Sequence, residues 1–324
     1  MVSSGTAVQL GVLVATVAGL WVGARLLVDS VVRLARRLGL SELTIGLTIV
    51  AAGTSTPELV VTTDAALAGL GAIAVGNVVG SNIYNLAFIL GVVSLVRVIP
   101  IERSLVHRDG VVLVASTLVG AAVMLDLTIS RVEGAVLVVL FVAYTGYLLR
   151  TGAGPDDSAP DTPGISTQLT ERVTFRGRDA VLLVVGLVVV LVSGDLMVGA
   201  ASTLARAAGI SDSVIGATIV AAGTSTPEFA VSLVAMRQGR IGVSVGNVVG
   251  SNVFNMLGIL GIASVVRPLS FGAVALESVA WLTVIVVVMV AALWTGRKLS
   301  RPEGALFAAS EVGRWVLGLL GLLG

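Results

Sequence analysis

The chain contains no cysteine and a single histidine in 324 residues. Disulfides, thiolate clusters and most zinc or copper sites are thereby excluded, so any bound metal has to be held by oxygen. Oxygen ligands select hard cations. Charged residues make up only 12% of the sequence and aromatic residues 4%, with a formal net charge of +1. There is no basic and aromatic patch of the kind a nucleic-acid surface needs. No polar stretch is long enough for a soluble domain. His-Glu-x-x-His, a Ser/His dyad and paired Asp motifs are also missing, which argues against an intramembrane enzyme.

What the sequence does have is apolar length. It is 56% hydrophobic, and its mean hydropathy of +1.04 lies far outside the soluble globular range. Apolar runs of roughly 20 residues recur throughout, each long enough to cross a bilayer about 30 Å thick as a helix. The first run, Ala7 to Leu27, has no basic segment before it and no small-residue cleavage site after it, and is expected to be a retained span. The periodicity predicts an all-α membrane protein of ten transmembrane helices, at about 7–32, 43–68, 72–96, 109–127, 131–150, 178–206, 213–236, 241–266, 273–296 and 303–323. Residues 151–177, with Gly154, Pro155, Asp156, Asp157, Pro160, Asp161 and Pro163, read as a solvated linker.

Basic residues orient these spans. With the N-terminus outside, one set of loops collects Arg33, Arg36, Arg37, Arg97, Arg103, Arg108, Arg150, Arg172, Arg176, Arg178, Arg237, Arg240, Arg297, Lys298 and Arg301, and the other only Arg131, Arg206 and Arg267. The positive-inside rule then places both termini outside and the linker in the cytoplasm.

Residues 49–58 read IVAAGTSTPE, and so do residues 219–228. At the same offset of 170 residues, Gly46–Arg97 aligns without gaps on Gly216–Arg267, with roughly 30 of about 52 positions identical. The chain is therefore a duplication: a first half, 1–150, and a second half, 178–324. Five spans per half make the repeats inverted, with broken helices at the midplane. Inversion brings Glu58 and Glu228 to similar depth. A Glu within an apolar span is costly, and is a functional site by default.

Two segments of each repeat carry oxygen. In Ala51-Ala52-Gly53-Thr54-Ser55-Thr56-Pro57-Glu58 and its twin Ala221–Glu228, the Gly and Pro four residues apart are expected to open the helix and release carbonyls at Ala51 and Thr54. In Gly76-Asn77-Val78-Val79-Gly80-Ser81-Asn82-Ile83-Tyr84-Asn85 and its twin Gly246–Asn255, Ser81 and Asn85 stand four apart on one helix face, as do Ser251 and Asn255. Gly76, Gly80, Gly246 and Gly250 are expected to serve close helix packing. Two carboxylates with several neutral oxygens suit one Ca²⁺; regrouped, they suit several Na⁺.

At these motifs the chain resembles the cation/calcium exchanger superfamily, and within it the prokaryotic sodium/calcium exchangers. G-T-S-x-P-E and G-N-x-x-G-S-N each occur twice, in the family's order. The resemblance covers nearly the whole chain. It implies ten helices, an ion site on helices 2, 3, 7 and 8, and helices 1 and 6 sliding past them for alternating access. It also implies that Glu58 and Glu228 are the central Ca²⁺ ligands, helped by Thr54 and Thr224. Ser55, Ser225, Ser81, Ser251, Ala51 and Ala221 are implied as Na⁺ ligands, with Asn85 nearby. Asn255 departs from the pattern: relatives often carry Asp there, an Asp associated with K⁺ dependence, so K⁺ co-transport is not expected. The function expected is Na⁺/Ca²⁺ antiport serving Ca²⁺ extrusion, with no cofactor beyond the transported ions and the lipid bilayer as surroundings. A proton-coupled cation antiporter and a cation channel are the competing readings. Ser55 and Ser225 disfavour the first, because proton coupling needs no such hydroxyls; broken helices disfavour the second.

Four further features carry weaker expectations. Arg25 and Asp195, again 170 apart, are candidates for pairing between helices 1 and 6. Glu311 and Arg314 are spaced as a helical ion pair. Asp64 faces away from Glu58, and His107 is expected to be solvated.

Overall fold

The computed structural model describes residues 4–100, 105–152, 177–210, 219, 221–296 and 298–319. The expected linker and the start of the expected seventh helix lie almost wholly outside these. The principal helices are α1 (Ser4–Leu38), α2 (Glu42–Thr54), α3 (Thr56–Ala68), α4 (Gly71–Val96), α5 (Val111–Val123), α6 (Arg131–Thr151) and α7 (Gly177–Ala207). They are followed by α8 (Ala221–Thr224), α9 (Thr226–Arg237), α10 (Ile241–Val266), α11 (Val274–Gly296) and α12 (Arg301–Leu319). Six of them, α1, α4, α6, α7, α10 and α11, are long and apolar enough to cross a membrane, and α2 with α3 makes a seventh broken span bent by 49°. Large apolar side chains such as Val14, Val132 and Leu306 stand outward at 72–74% exposure, as only a lipid-facing surface would allow. The chain is an all-helical integral membrane protein.

Local chemistry explains where the elements stop and bend. Pro57 and Pro227 sit in the first turn of α3 and α9, where their missing N–H costs nothing. The break before each is a single residue, Ser55 (φ −80°, ψ 14°) or Ser225 (φ −88°, ψ 10°). The opening is smaller than the Gly–Pro spacing leads one to expect. The carbonyl of Gly53, which Pro57 cannot serve, accepts the Thr56 hydroxyl at 2.8 Å, and Ala51 O accepts the Ser55 amide at 3.0 Å. The Thr54 hydroxyl also lies 3.4 Å from Ala51 O, so that carbonyl already has two donors. Ser130 with Glu133 forms a capping box at the start of α6, and before α12 the amide and hydroxyl of Ser300 both donate to the Glu303 carboxylate.

The core centres on α4 and α10, which cross at Asn82, whose amide donates to Asn252 O at 3.1 Å. Each is interrupted by a π-helical turn, Tyr84–Ile89 and Phe254–Ile259. Two short antiparallel pairs join distant segments: β1 (Ile99–Pro100) with β4 (Lys298–Leu299), and β2 (Thr128–Ile129) with β3 (Leu269–Ser270). Their registers, Ile99 to Leu299 and Ile129 to Leu269, are related by the 170-residue offset. So are two helix crossings, at Gly91 against the carbonyl of Gly304 and Gly261 against that of Gly134.

α1 packs along α7, but the charge pair between them is not the expected one. Arg25 and Asp195 are both exposed, and among the described residues no ion pair joins them. Each sits on its helix's outward face, whereas Arg33 Nε donates to Asp179 Oδ1 at 2.7 Å near the far end of the same seam. Asp179 is almost completely buried and Arg33 largely so. The Asp179→Asn substitution is expected to lower stability by about 1–3 kcal/mol, because it leaves the guanidinium without its charged acceptor. A thermal melt of the purified protein checks this, and an unchanged midpoint would refute it. Glu311 and Arg314 pair as expected, at 2.7 Å, with Glu311 buried. His107 is exposed yet lies against the Trp294 ring, with centroids 4.4 Å apart. Asp64 is exposed on α3.

Candidate functional site

The breaks at Ser55 and Ser225 bring the two carboxylates to the centre of the molecule. Glu58 and Glu228 stand in the first turn of α3 and α9, and both are fully buried. Each is served by the other's repeat: Ser55 Oγ donates to Glu228 Oε1 at 2.8 Å, and Ser225 Oγ donates to Glu58 Oε1, also at 2.8 Å. The second oxygen of each carboxylate, Oε2, has no hydrogen-bond partner. Ser81 Oγ and both amide atoms of Asn85 and of Asn255 are likewise buried and unpartnered. A buried polar atom without a partner costs about 1–3 kcal/mol, more when charged. The grouping of so many on the four motif segments marks a site built for a ligand that supplies charge. Among the described residues no third Asp, Glu or His joins the two carboxylates.

The π-helical turns lie where they matter for this site. Each begins one residue before Asn85 or Asn255, and such turns re-aim the side chains they carry. Ser81 and Ser251 precede them on the same helices, both buried. All twelve residues singled out from sequence fall on the four motif segments. Eleven are buried, with Thr224 at the margin at 9%, while Ala221 is exposed.

Two residues that the sequence reading quoted but assigned no role also belong here. Asn247 Nδ2 donates to the Glu228 carbonyl at 3.3 Å and to Ser232 Oγ at 3.0 Å. Asn77 Nδ2 makes the equivalent bonds, to the Glu58 carbonyl at 3.4 Å and Thr62 Oγ1 at 2.9 Å. These amides hold the backbone that carries the two carboxylates. The signal that could have found them was their recurrence, an Asn inside an apolar helix twice over.

The two halves of the site are not packed alike. Gly246 and Gly250 of α10 press on the backbone of α2: a Cβ on them would sit 2.6 Å from Leu43 O and 2.5 Å from Leu47 O. Among the described residues nothing approaches Gly76 and Gly80 of α4 within 4 Å. The expected close packing holds for Gly246 and Gly250; the segment at the same offset from Leu43 and Leu47, 213–217, lies outside the described residues. Ser55 Oγ reaches Ser251 Oγ at 2.9 Å, whereas Ser81 Oγ has no partner.

A family model described as sodium/calcium exchanger protein matches residues 8–150 and 179–310. The chain belongs to the sodium/calcium exchanger family. The putative antiporter CaxA of Alkalimonas amylolytica is 34% identical to this exchanger over 286 residues, covering 86% of the chain and 89% of the relative. The sodium/calcium exchanger MaX1 of Methanosarcina acetivorans is 30% identical over 317 residues, covering 88% and 91%. Among solved structures, the sodium-calcium exchanger NCX_Mj soaked with zero Na⁺ and Ca²⁺ superposes with a TM-score of 0.81 at 30% identity, covering 94% of this chain and 96% of that one. The exchanger is accordingly a membrane-embedded cation/Ca²⁺ antiporter, a transporter class with no enzymatic chemistry.

Proposed function

We propose that this exchanger moves Ca²⁺ against Na⁺ by alternating access, without K⁺, and in the direction of Ca²⁺ extrusion. The observation that carries the reading is the crossed pairing of Ser55 with Glu228 and Ser225 with Glu58, which leaves two buried carboxylate oxygens facing a polar interior. Two carboxylates neutralise one Ca²⁺, and the unpartnered oxygens of Ser81, Asn85 and Asn255 extend the set toward the 6–8 oxygens that Ca²⁺ takes. Glu58 and Glu228, with Thr54 and Thr224, are the Ca²⁺ ligands in this reading. Ser55, Ser225, Ser81, Ser251, Ala51 and Ala221, with Asn85 and Asn255 beside them, form the overlapping Na⁺ set. Because the sets share atoms, the two cargoes compete.

In the same reading the chain has ten spans in two inverted repeats, 1–150 and 178–324, joined by a cytoplasmic linker at 151–177, with both termini outside. The paired registers of the short strands and the paired glycine crossings at one constant offset support inversion. Basic loop residues support the orientation. The prokaryotic sources of the relatives that match over most of their length support a prokaryotic cell membrane. Asn85 and Asn255, amides where an Asp would add charge, support independence from K⁺.

Flux into vesicles of the purified protein tests the reading. Ca²⁺ uptake should follow an outward Na⁺ gradient, persist with a protonophore and ignore K⁺. Uptake that needs only a pH gradient would establish proton coupling instead, and flux that never saturates would establish a channel.

A further inference from the structure

Asn85 and Asn255 differ from the other asparagines of the motif segments in what holds them. Asn77 and Asn247 are each fixed by two hydrogen bonds through Nδ2, and Asn82 and Asn252 by one each. Asn85 and Asn255 are fully buried, and no amide atom of either has a partner. Their direction is therefore set by the backbone, which in each case is a π-helical turn. Such a turn is rarer than an α-turn, so packing from outside has to favour it. At Tyr84–Ile89 that packing is aromatic. The Tyr84 ring stacks on Phe88 within the turn, with centroids 4.8 Å and planes 18° apart, and on Trp315 of α12, at 5.6 Å and 5°. Phe88 then meets Phe229, the residue after Glu228, at 5.9 Å. Close contact of Gly91 with Gly304 seats α12 on α4 about two turns along from Tyr84. At Phe254–Ile259 the support is thinner: among the described residues Phe254 meets one ring, Phe141 of α6, at 5.0 Å. The place of Phe88 is taken there by Gly258, and those of Trp315 and Phe229 by Thr145 and Leu59.

We infer that Trp315 is a positioning residue of the ion site, aiming Asn85 through its stack on Tyr84, and that Phe141 has the same task for Asn255. This rests on the reading above of the two asparagines as ion ligands. Neither ring lies on a motif segment, and the support is crossed as the serines and glutamates are. α12 of the second half props the turn in the first half, and α6 of the first half props the turn in the second. A cation that takes 6–8 oxygens is held tightly only when the neutral oxygens converge with the carboxylates. An asparagine free to swing has to be ordered on binding, and that cost comes off the affinity. The four rings also end beside Glu228, so they fix Asn85 relative to a carboxylate as well as within α4. A stack of this kind is equivalent to roughly two- to tenfold in an equilibrium constant.

Ca²⁺ titration calorimetry on the full-length purified protein tests this through a double-mutant cycle. Trp315→Ala is expected to weaken Ca²⁺ binding by roughly two- to tenfold in the otherwise native protein. In an Asn85→Ala background the oxygen that Trp315 aims is gone, and the same change should cost nothing further. In an Asn255→Ala background it should cost its full factor, because that asparagine depends on Phe141 instead. Phe141→Leu should show the reverse preference, and Trp315→Phe, which keeps a ring, should stay near the native affinity. A ring that only stabilises the fold would weaken binding alike in both backgrounds. If Trp315→Ala fails to fold, Phe88→Leu breaks the same stack from within the turn and is read in the same two backgrounds. Equal factors in the two backgrounds, or no weakening at all, would overturn this inference alone. Ca²⁺ binding that survives Glu228→Gln would overturn the ion-site reading and take the inference with it.

Discussion

Glu228→Gln is expected to abolish Ca²⁺ transport and weaken Ca²⁺ binding at least about 100-fold, equivalent to ~2.7 kcal/mol. The amide keeps the shape and still presents an oxygen to Ser55, so the loss is one of charge. With a single carboxylate left, a bound Ca²⁺ carries an uncompensated positive charge into a low-dielectric interior. The same change should raise stability in the absence of ions. Two fully buried carboxylates face one site with one serine hydroxyl on Oε1 of each and nothing on Oε2, and mutual repulsion opposes folding until a cation arrives. The wild type should gain thermal stability with added Ca²⁺ while the variant melts higher without it and gains nothing on addition. Glu58→Gln should behave alike. Titration calorimetry with Ca²⁺ and melts with and without the ion read both effects. A variant that still binds Ca²⁺ tightly would remove the two carboxylates from the centre of the site.

Gly250→Ala is expected to destabilise the exchanger and to slow transport. A methyl on Gly250 would lie 2.5 Å from Leu47 O and 2.6 Å from Leu47 Cα, both backbone atoms that cannot swing aside. Overpacking of this kind costs about 1–3 kcal/mol, and here it wedges α10 away from α2. Ser251 is the next residue, so its Oγ is drawn away from Ser55 Oγ, which it reaches at 2.9 Å. The protein should melt earlier and turnover should fall several-fold. A thermal melt and Na⁺-driven Ca²⁺ flux into vesicles read the two effects, and a wild-type melting point in Gly250→Ala would refute the first.

Much of the site was legible because the sequence repeats it. IVAAGTSTPE twice, with a Glu buried in apolar surroundings, pointed to Glu58 and Glu228 before any coordinate did. The spacing of Ser81 and Asn85 put them on the correct segment. The π-helical turns at Tyr84 and Phe254 were not legible: one extra residue in a helical turn leaves no composition signal, yet it re-aims Asn85 and Asn255. The extent of the helix break was overestimated, since Thr56 and the Ser55 amide satisfy carbonyls that Gly and Pro were expected to leave open. The pairing of Arg33 with Asp179 was invisible to an offset rule, because neither residue has a charged counterpart 170 positions away.

The paired registers have a consequence for how such a chain can arise. Ile99 meets Leu299 as Leu269 meets Ile129, Ser55 meets Glu228 as Ser225 meets Glu58, and Gly91 meets Gly304 as Gly261 meets Gly134. Contacts that return on themselves in this way are those of an isologous dimer, in which one surface is its own complement. A half-length ancestor that could enter the bilayer in either direction would meet its oppositely inserted copy through these contacts, with no joining segment. Fusion would then free each half to diverge, as Arg33 and Asp179 have done.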